Sequence, residues 1–253
     1  MPCARRRVAL VIGHEICWKE IIMLRSVNQL YGDKLGASDG EIGRVKDFYF
    51  DDVTWAVRYV VVDTGAWLPG RKVLISPHAI GGFNQSGRIL KVSLSRKQIE
   101  NGPSIAMHEP VSRQYEEEYY RHYGLPIYWQ GGALWGTSGF PIMGPPAIPL
   151  PLGPEPGNPD AHLRSTQAVN GYQLGTNDGT IGHVRDFMVD DQSWAIEQLV
   201  IKTGHRFTGV EVLISTRAVE RISYPDSTVF VNLTREAVEQ SPAHEPAPIG
   251  AAV

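Results

Sequence analysis

The sequence predicts an all-β fold, two small β-barrels in tandem related by a pseudo-twofold axis, and three observations carry that prediction. Residues 24–103 lie on residues 163–242 without a gap, with roughly four residues in ten identical, so one unit is present twice. A unit of that length is a small domain, too long for one turn of a solenoid. Within each copy, apolar and polar residues alternate over short runs broken by Asp, Gly and Ser, which is the pattern of half-buried strands. Finally, Gly43 and Gly182 interrupt the longest run, where a bend or bulge would curl a sheet toward a barrel.

The chain divides accordingly into an extension (1–22), a first barrel (23–103), a joining segment (104–162), a second barrel (163–242) and a tail (243–253). In the extension a basic cluster, Arg5, Arg6 and Arg7, precedes an apolar run that His14 and Glu15 interrupt. That run is too short for an export signal and far short of the roughly 20 residues a membrane span needs. The extension is expected to be disordered, or untranslated if synthesis starts at Met23 rather than Met1. The tail is expected to be disordered.

Within the units, Asp39-Gly40 and Asp178-Gly179 read as tight hairpin turns that use positive φ angles. Asp51-Asp52 and Asp190-Asp191 read as second turns, with carboxylates bonding nearby backbone N–H groups. The strand "WAVRYVVVDTG", matched by "WAIEQLVIKTG", is apolar on both faces, with Val57, Tyr59 and Val61 opposite Val60 and Val62. One face fills a barrel and the other needs a cover, which either the second barrel or the joining segment would supply. This strand is therefore expected near the inter-unit contact, with Arg58, Val60, Val62, Glu197, Leu199 and Ile201 as contact candidates. Arg58 aligns with Glu197, Asp63 with Lys202 and Lys72 with Glu211; such reversals would favour pairing within the chain over homodimers. Each unit closes with a short helix, N-capped by Ser95 or Thr234.

In the joining segment, "VSRQYEEEYYRHYG" reads as a helix capped by Ser112 and stopped by Gly124 and Pro126. Tyr115, Tyr119 and Tyr123 share a region of it that packs on the parent unit or binds a partner. "YWQGGALWGTSGF" adds Trp129 and Trp135, and these five aromatic residues are the candidate partner-binding set. Prolines and glycines then exclude regular helix and leave a tether.

Composition and motif search remove several function classes. A formal charge of −3 with no basic patch argues against nucleic-acid binding. The two cysteines, Cys3 and Cys17, cannot supply a disulfide framework or a CxxC site for the units. P-loop, GxSxG and HExxH motifs do not occur. No catalytic, cofactor or metal site is expected; the enzymatic or metal-binding alternative would use Asp51, Asp52 and His78. Calcium would need six or more oxygens, and no further ligands lie close by in sequence.

"LRSVNQLYGDKLGASDGEIGRVKDFYFDD", "RYVVVDTG" and "KVLIS" resemble the successive blocks of the PRC-barrel family. That family occurs in the cytoplasmic part of the photosynthetic reaction-centre H subunit and in a ribosome maturation factor. Bacterial proteins with two such barrels and a linker similar to "VSRQYEEEYYRHYG" look closest. The resemblance implies two PRC-type barrels, a habit of binding proteins and no catalytic motif. It implies a non-enzymatic cytoplasmic protein acting as an interaction or assembly module for an unidentified protein partner. The alternative is an accessory of photosynthetic or electron-transport complexes, peripheral to the inner membrane.

Overall fold

The protein is described here by a computed structural model over residues 7–12, 15–20, 23–84, 88–103, 105–106, 111, 113–125, 162–204 and 209–245. In the extension, where the sequence leads one to expect disorder, β1 (Arg7–Ile12) and β2 (Glu15–Glu20) pair antiparallel, Arg7 opposite Glu20 and Ile12 opposite Glu15.

Unit 1 contains β3 (Leu24–Ser26), α1 (Val27–Leu30), β4 (Lys34–Ala37), β5 (Gly40–Asp51), β6 (Val57–Asp63), β7 (Arg71–Ile75), β8 (Ile80–Asn84), β9 (Ile89–Val92) and α2 (Arg96–Glu100). The joining segment adds β10 (Ile105–Ala106) and α3 (Arg113–Tyr123). Unit 2 repeats the first set as β11 (Leu163–Ser165), α4 (Thr166–Val169), β12 (Gln173–Thr176), β13 (Gly179–Asp190), β14 (Ile196–Lys202), β15 (Glu211–Ser215), β16 (Val219–Ser223), β17 (Thr228–Val231) and α5 (Arg235–Glu239).

The molecule is mostly β, with two mixed sheets and a few short helices. One sheet runs β10-β7-β6-β5-β4-β9-β8 and the other β15-β14-β13-β12-β17-β16. All neighbours are antiparallel except β4 with β9 and β12 with β17. The long strands β5 and β13 carry register shifts at Val45/Asp47 and Val184/Asp186, and these bulges curl the sheets. Gly43 and Gly182 serve the same bend: a Cβ there would stand 2.1 Å from the Asp63 carbonyl oxygen and 2.2 Å from that of Lys202.

The first strand of each unit is not in its own sheet. β3 adds to β13 of unit 2, pairing Ser26 with Met188 and Leu24 with Asp190. Reciprocally, β11 adds to β5 of unit 1, pairing Ser165 with Tyr49 and Leu163 with Asp51. The two apolar interiors consequently merge into one core, in which Phe50 lies 5.6 Å from Phe187 and Phe48 lies 6.3 Å from Trp194, centroid to centroid.

The Asp-Gly pairs form tight hairpin turns, with Ser38-Asp39 and Asn177-Asp178 between the strands; the positive φ falls on the glycines alone, Gly40 at +152° and Gly179 at +140°, and not on the aspartates. The aspartate is retained for another reason: Asp39 Oδ1 accepts from Arg96 N at 2.7 Å, and Asp178 Oδ1 from Arg235 N at 2.8 Å, at the starts of α2 and α5. The closing helices are capped as expected, Ser95 with a full capping box and Thr234 accepting from Ala237 N.

Because a side chain at Gly43 would collide with backbone rather than with a movable side chain, Gly43→Ala and Gly182→Ala should each cost about 2 kcal/mol or more. Gly36→Ala is the matched control, since its Cβ would make an ordinary 3.6 Å contact with Ile89. Urea midpoints of the three variants check this.

Candidate functional site

The densest set of polar contacts lies where the units cross. Asp47, in β5, accepts from Ser165 Oγ at 2.5 Å, Thr166 Oγ1 at 2.9 Å, Gln167 N at 3.2 Å and its own neighbour Phe48 N at 2.8 Å. It thus closes the start of α4, an element of the other unit. Asp186 does the same for α1, accepting from Asn28 N at 3.0 Å, Phe187 N at 2.7 Å and Ser26 Oγ. Burial pushes both carboxyls above the usual aspartate range, and the hydrogen bonds oppose that rise without cancelling it.

An outer ring of ion pairs surrounds these carboxylates. Asp52 binds Arg164 Nε at 2.5 Å and His162 Nδ1 at 2.9 Å, and Asp191 binds Arg25 Nε at 3.1 Å. At the centre, Ala56 and Ala195 pair across the units, flanked by Val57 N to Trp194 O (2.9 Å) and Ile196 N to Trp55 O (2.7 Å). Trp55 and Trp194 each sit at φ +58°, a conformation that costs a bulky residue roughly 1–3 kcal/mol and is held by these crossing bonds.

The residues nominated from sequence fall differently. The expected strand touches the other unit through backbone at its leading edge, Trp55 to Val57. Val60, Val62, Leu199 and Ile201 belong to the apolar core, and β6 and β14 each run between two strands of their own sheet. Arg58, 1% exposed, directs its guanidinium to Thr54 Oγ1 at 2.8 Å and stands 3.7 Å from Asp51, both in its own unit. Glu197 is partly exposed, and its carbonyl accepts from Thr216 Oγ1. The inter-unit ion pairs Arg25–Asp191 and Arg164–Asp52 join charges that the two copies share rather than reversed ones.

The alternative trio is likewise distributed over separate structural tasks. Asp51 Oδ1 closes its turn by accepting from Val53 N, Thr54 N and Thr54 Oγ1, as Asp190 does for Gln192 and Ser193. Asp52 serves the inter-unit ring. His78 follows Ser76 in a 3-10 turn, and burial, with Arg58 second, holds its imidazole below the usual range. Among the described residues no three His, Cys, Asp or Glu side chains converge to hold a metal ion.

The aromatic helix faces inward. Tyr119 is 1% exposed, accepts from Ser76 N at 2.9 Å and donates to the Leu74 carbonyl at 3.0 Å. With Tyr120 and Val111 it covers Tyr59, Val61 and Leu74, the outer face of β6–β7, and Tyr115 and Tyr123 pack at the margin. The joining segment is therefore the cover that the two-faced strand needed, and Tyr119 has no surface left for a partner. Glu116, wholly buried, accepts from Tyr59 OH at 2.9 Å. Gly124 (φ +63°) ends α3, with Leu125 N bonding back to Tyr120 O. Trp129, Trp135 and Ser112 lie outside the described residues.

Beside the junction, a cleft of about 170 Å³ is lined by Lys46, Tyr49, Asp63, Arg71, Lys72 and Gln167, among others. Lys72 lies over the Tyr49 ring at 5.7 Å, and the Tyr49 hydroxyl is pushed up to about 12, chiefly by burial. An open depression of about 600 Å³ in unit 2 is bordered by Asp178, Gly182, Arg235 and Glu239. Sequence reasoning missed Arg25, Ser26, Asp47, His162, Arg164, Ser165 and Asp186. Their signal was present, because Arg25, Ser26 and Asp47 recur as Arg164, Ser165 and Asp186 in the aligned copy.

No family model matches the chain, and no curated protein sequence matches it either. Among the described residues no helix is long and apolar enough to cross a membrane.

Asp47→Ala leaves buried donors without an acceptor and should cost about 3 kcal/mol, whereas Asp47→Asn keeps a good cap and should cost about 1 kcal/mol. A raised carboxyl favours the folded state at acid pH and loses that contribution as pH rises through its folded value. The wild type should accordingly gain stability relative to the Asp47→Asn, Asp186→Asn double variant between pH 7 and about pH 4, read from urea midpoints. Tyr119→Phe strips the buried Ser76 N–H and Leu74 C=O of a partner and should cost about 2 kcal/mol in the same measurement.

Proposed function

We propose that this chain is a non-enzymatic assembly module of the PRC-barrel type: two small β-barrels about a pseudo-twofold axis that bind a protein partner. The observation that carries this reading is the fate of the ionisable residues both copies share. Arg25/Arg164, Asp47/Asp186 and Asp52/Asp191 hold the units to each other, Asp51/Asp190 close turns, and Asp39/Asp178 start the closing helices. Three shared positions, Asp39/Asp178, Arg96/Arg235 and Glu100/Glu239, border the open depression of unit 2, where Asp178 pairs with Arg235 and starts α5.

The residues that differ between copies surround the junction cleft instead. Tyr49, Asp63, Arg71 and Lys72 are replaced in the aligned copy by Met188, Lys202, Val210 and Glu211. At about 170 Å³ the cleft is smaller than the ~300 Å³ at which small-molecule sites begin. It suits one inserted side chain, and because Lys46, Arg71 and Lys72 outnumber Asp47 and Asp63 in its lining, an acidic segment is favoured there.

Affinity purification tests the reading with three full-fold baits: the wild type, Lys72→Glu, and a chain lacking residues 126–160. The deletion spares α3, whose removal would uncover the buried face of β6–β7. Capture of the same protein by wild type, weakened at least about tenfold by Lys72→Glu, is the expected outcome. Undiminished capture by Lys72→Glu would reject the cleft, and loss with the deletion alone would move the site to the tether. Stoichiometric metal binding in calorimetry, abolished by Asp52→Asn in a folded variant, would reject the scaffold reading altogether.

A further inference from the structure

The contacts that join the units ask nothing of the chain between them. β3 with β13, β11 with β5, Asp47 with Ser165 and Thr166, Asp186 with Ser26 and Asn28, and the Ala56–Ala195 bridge are all made from one unit to the other. A second chain presents the same atoms. Such exchange of an identical element is a low-cost route to a dimer with closed symmetry.

The pairing nevertheless has a direction. Tyr31 OH lies 2.8 Å from Thr166 Oγ1, the same hydroxyl that donates to Asp47. In the aligned copy Thr166 corresponds to Val27, and Tyr31 to Asn170. Two first units would therefore set the partly buried Tyr31 hydroxyl against valine, without its acceptor. Unit 1 is complementary to unit 2 and not to itself.

We propose that the partner this junction fits is a second copy of the chain, unit 1 of each copy taking unit 2 of the other in a closed two-chain assembly with every crossing bond retained. The tether decides between the two forms. It holds the units of one chain at an effective concentration on the order of millimolar, so the single chain dominates in dilute solution and the two-chain form is captured when folding starts from concentrated protein.

Cysteine trapping in the full chain tests this, in a Cys3→Ser, Cys17→Ser background. Ala56 and Ala195 form the narrow, non-hydrogen-bonded kind of antiparallel pair, whose Cα separation of about 4.5 Å accommodates a disulfide. An Ala56→Cys chain and an Ala195→Cys chain are mixed, unfolded, refolded together and oxidised. A covalent dimer on a non-reducing gel is expected, its yield falling roughly tenfold when the mixture is diluted tenfold before refolding. Each single-cysteine chain refolded alone should give no covalent dimer. The chain carrying both cysteines should close its disulfide internally, showing that the substitutions fold and that the register is correct. Absence of dimer from the mixture while the double-cysteine chain closes would overturn the proposal, as would equal dimer from either chain alone.

Discussion

Two buried carboxylates, Asp47 and Asp186, set the terms for the rest of the molecule, because each completes a helix start that belongs to the opposite unit. Burying a charge is costly unless it is fully hydrogen-bonded, and around Asp47 the donors are two hydroxyls and two backbone N–H groups. Two of those side-chain donors, and one of the N–H groups, come from the other unit. Neither sheet is therefore complete alone: separation would take the aspartate acceptor from the starts of α1 and α4, leaving only their Ser26 and Ser165 caps, and return β5 and β13 to being edge strands on that side. The left-handed Trp55 and Trp194 belong to the same constraint, since their strain is tolerated only where crossing backbone bonds hold them.

Outside this junction the copies diverge, and the divergence follows the joining segment. In unit 1 the outer face of β6–β7 is Tyr59, Val61 and Leu74, covered by α3; the aligned positions in unit 2 are Gln198, Val200 and Leu213. Tyr59 suits a helix that brings a buried carboxylate, Glu116, to its hydroxyl, and glutamine at the same place does not reproduce that contact. One scaffold thus carries two different outer surfaces.

Much of the fold was legible. The repeat, the short alternating strands, the bend at Gly43 and Gly182, the capped closing helices and the helix of the joining segment all follow from local periodicity and from residues whose backbone preferences are strong. The junction was less legible for an identifiable reason. Asp39 and Asp51 look alike in sequence, yet one starts a helix about 57 residues away and the other closes its own turn. The inter-unit residues carried a clue in their recurrence, but recurrence alone does not separate a residue kept for its turn from one kept for its partner. Attention to reversed charges also pointed away from the shared ones, and it is the shared ones that form the inter-unit pairs.

By itself the sequence determined that there are two β units, which residues recur between them, and which face of each strand is apolar. Only the tertiary structure decided that the first strand of each unit crosses to the other, that the tyrosines of α3 are spent inside the chain, and that Asp47, Asp186, Arg25 and Arg164 are the residues of contact. The physical reason is range. Strand and helix preferences arise from a residue and its near neighbours, whereas a three-residue edge strand pairs equally well with any complementary edge. Its choice is made by buried caps and ion pairs that come together only when segments roughly 110 to 170 residues apart are already folded against one another.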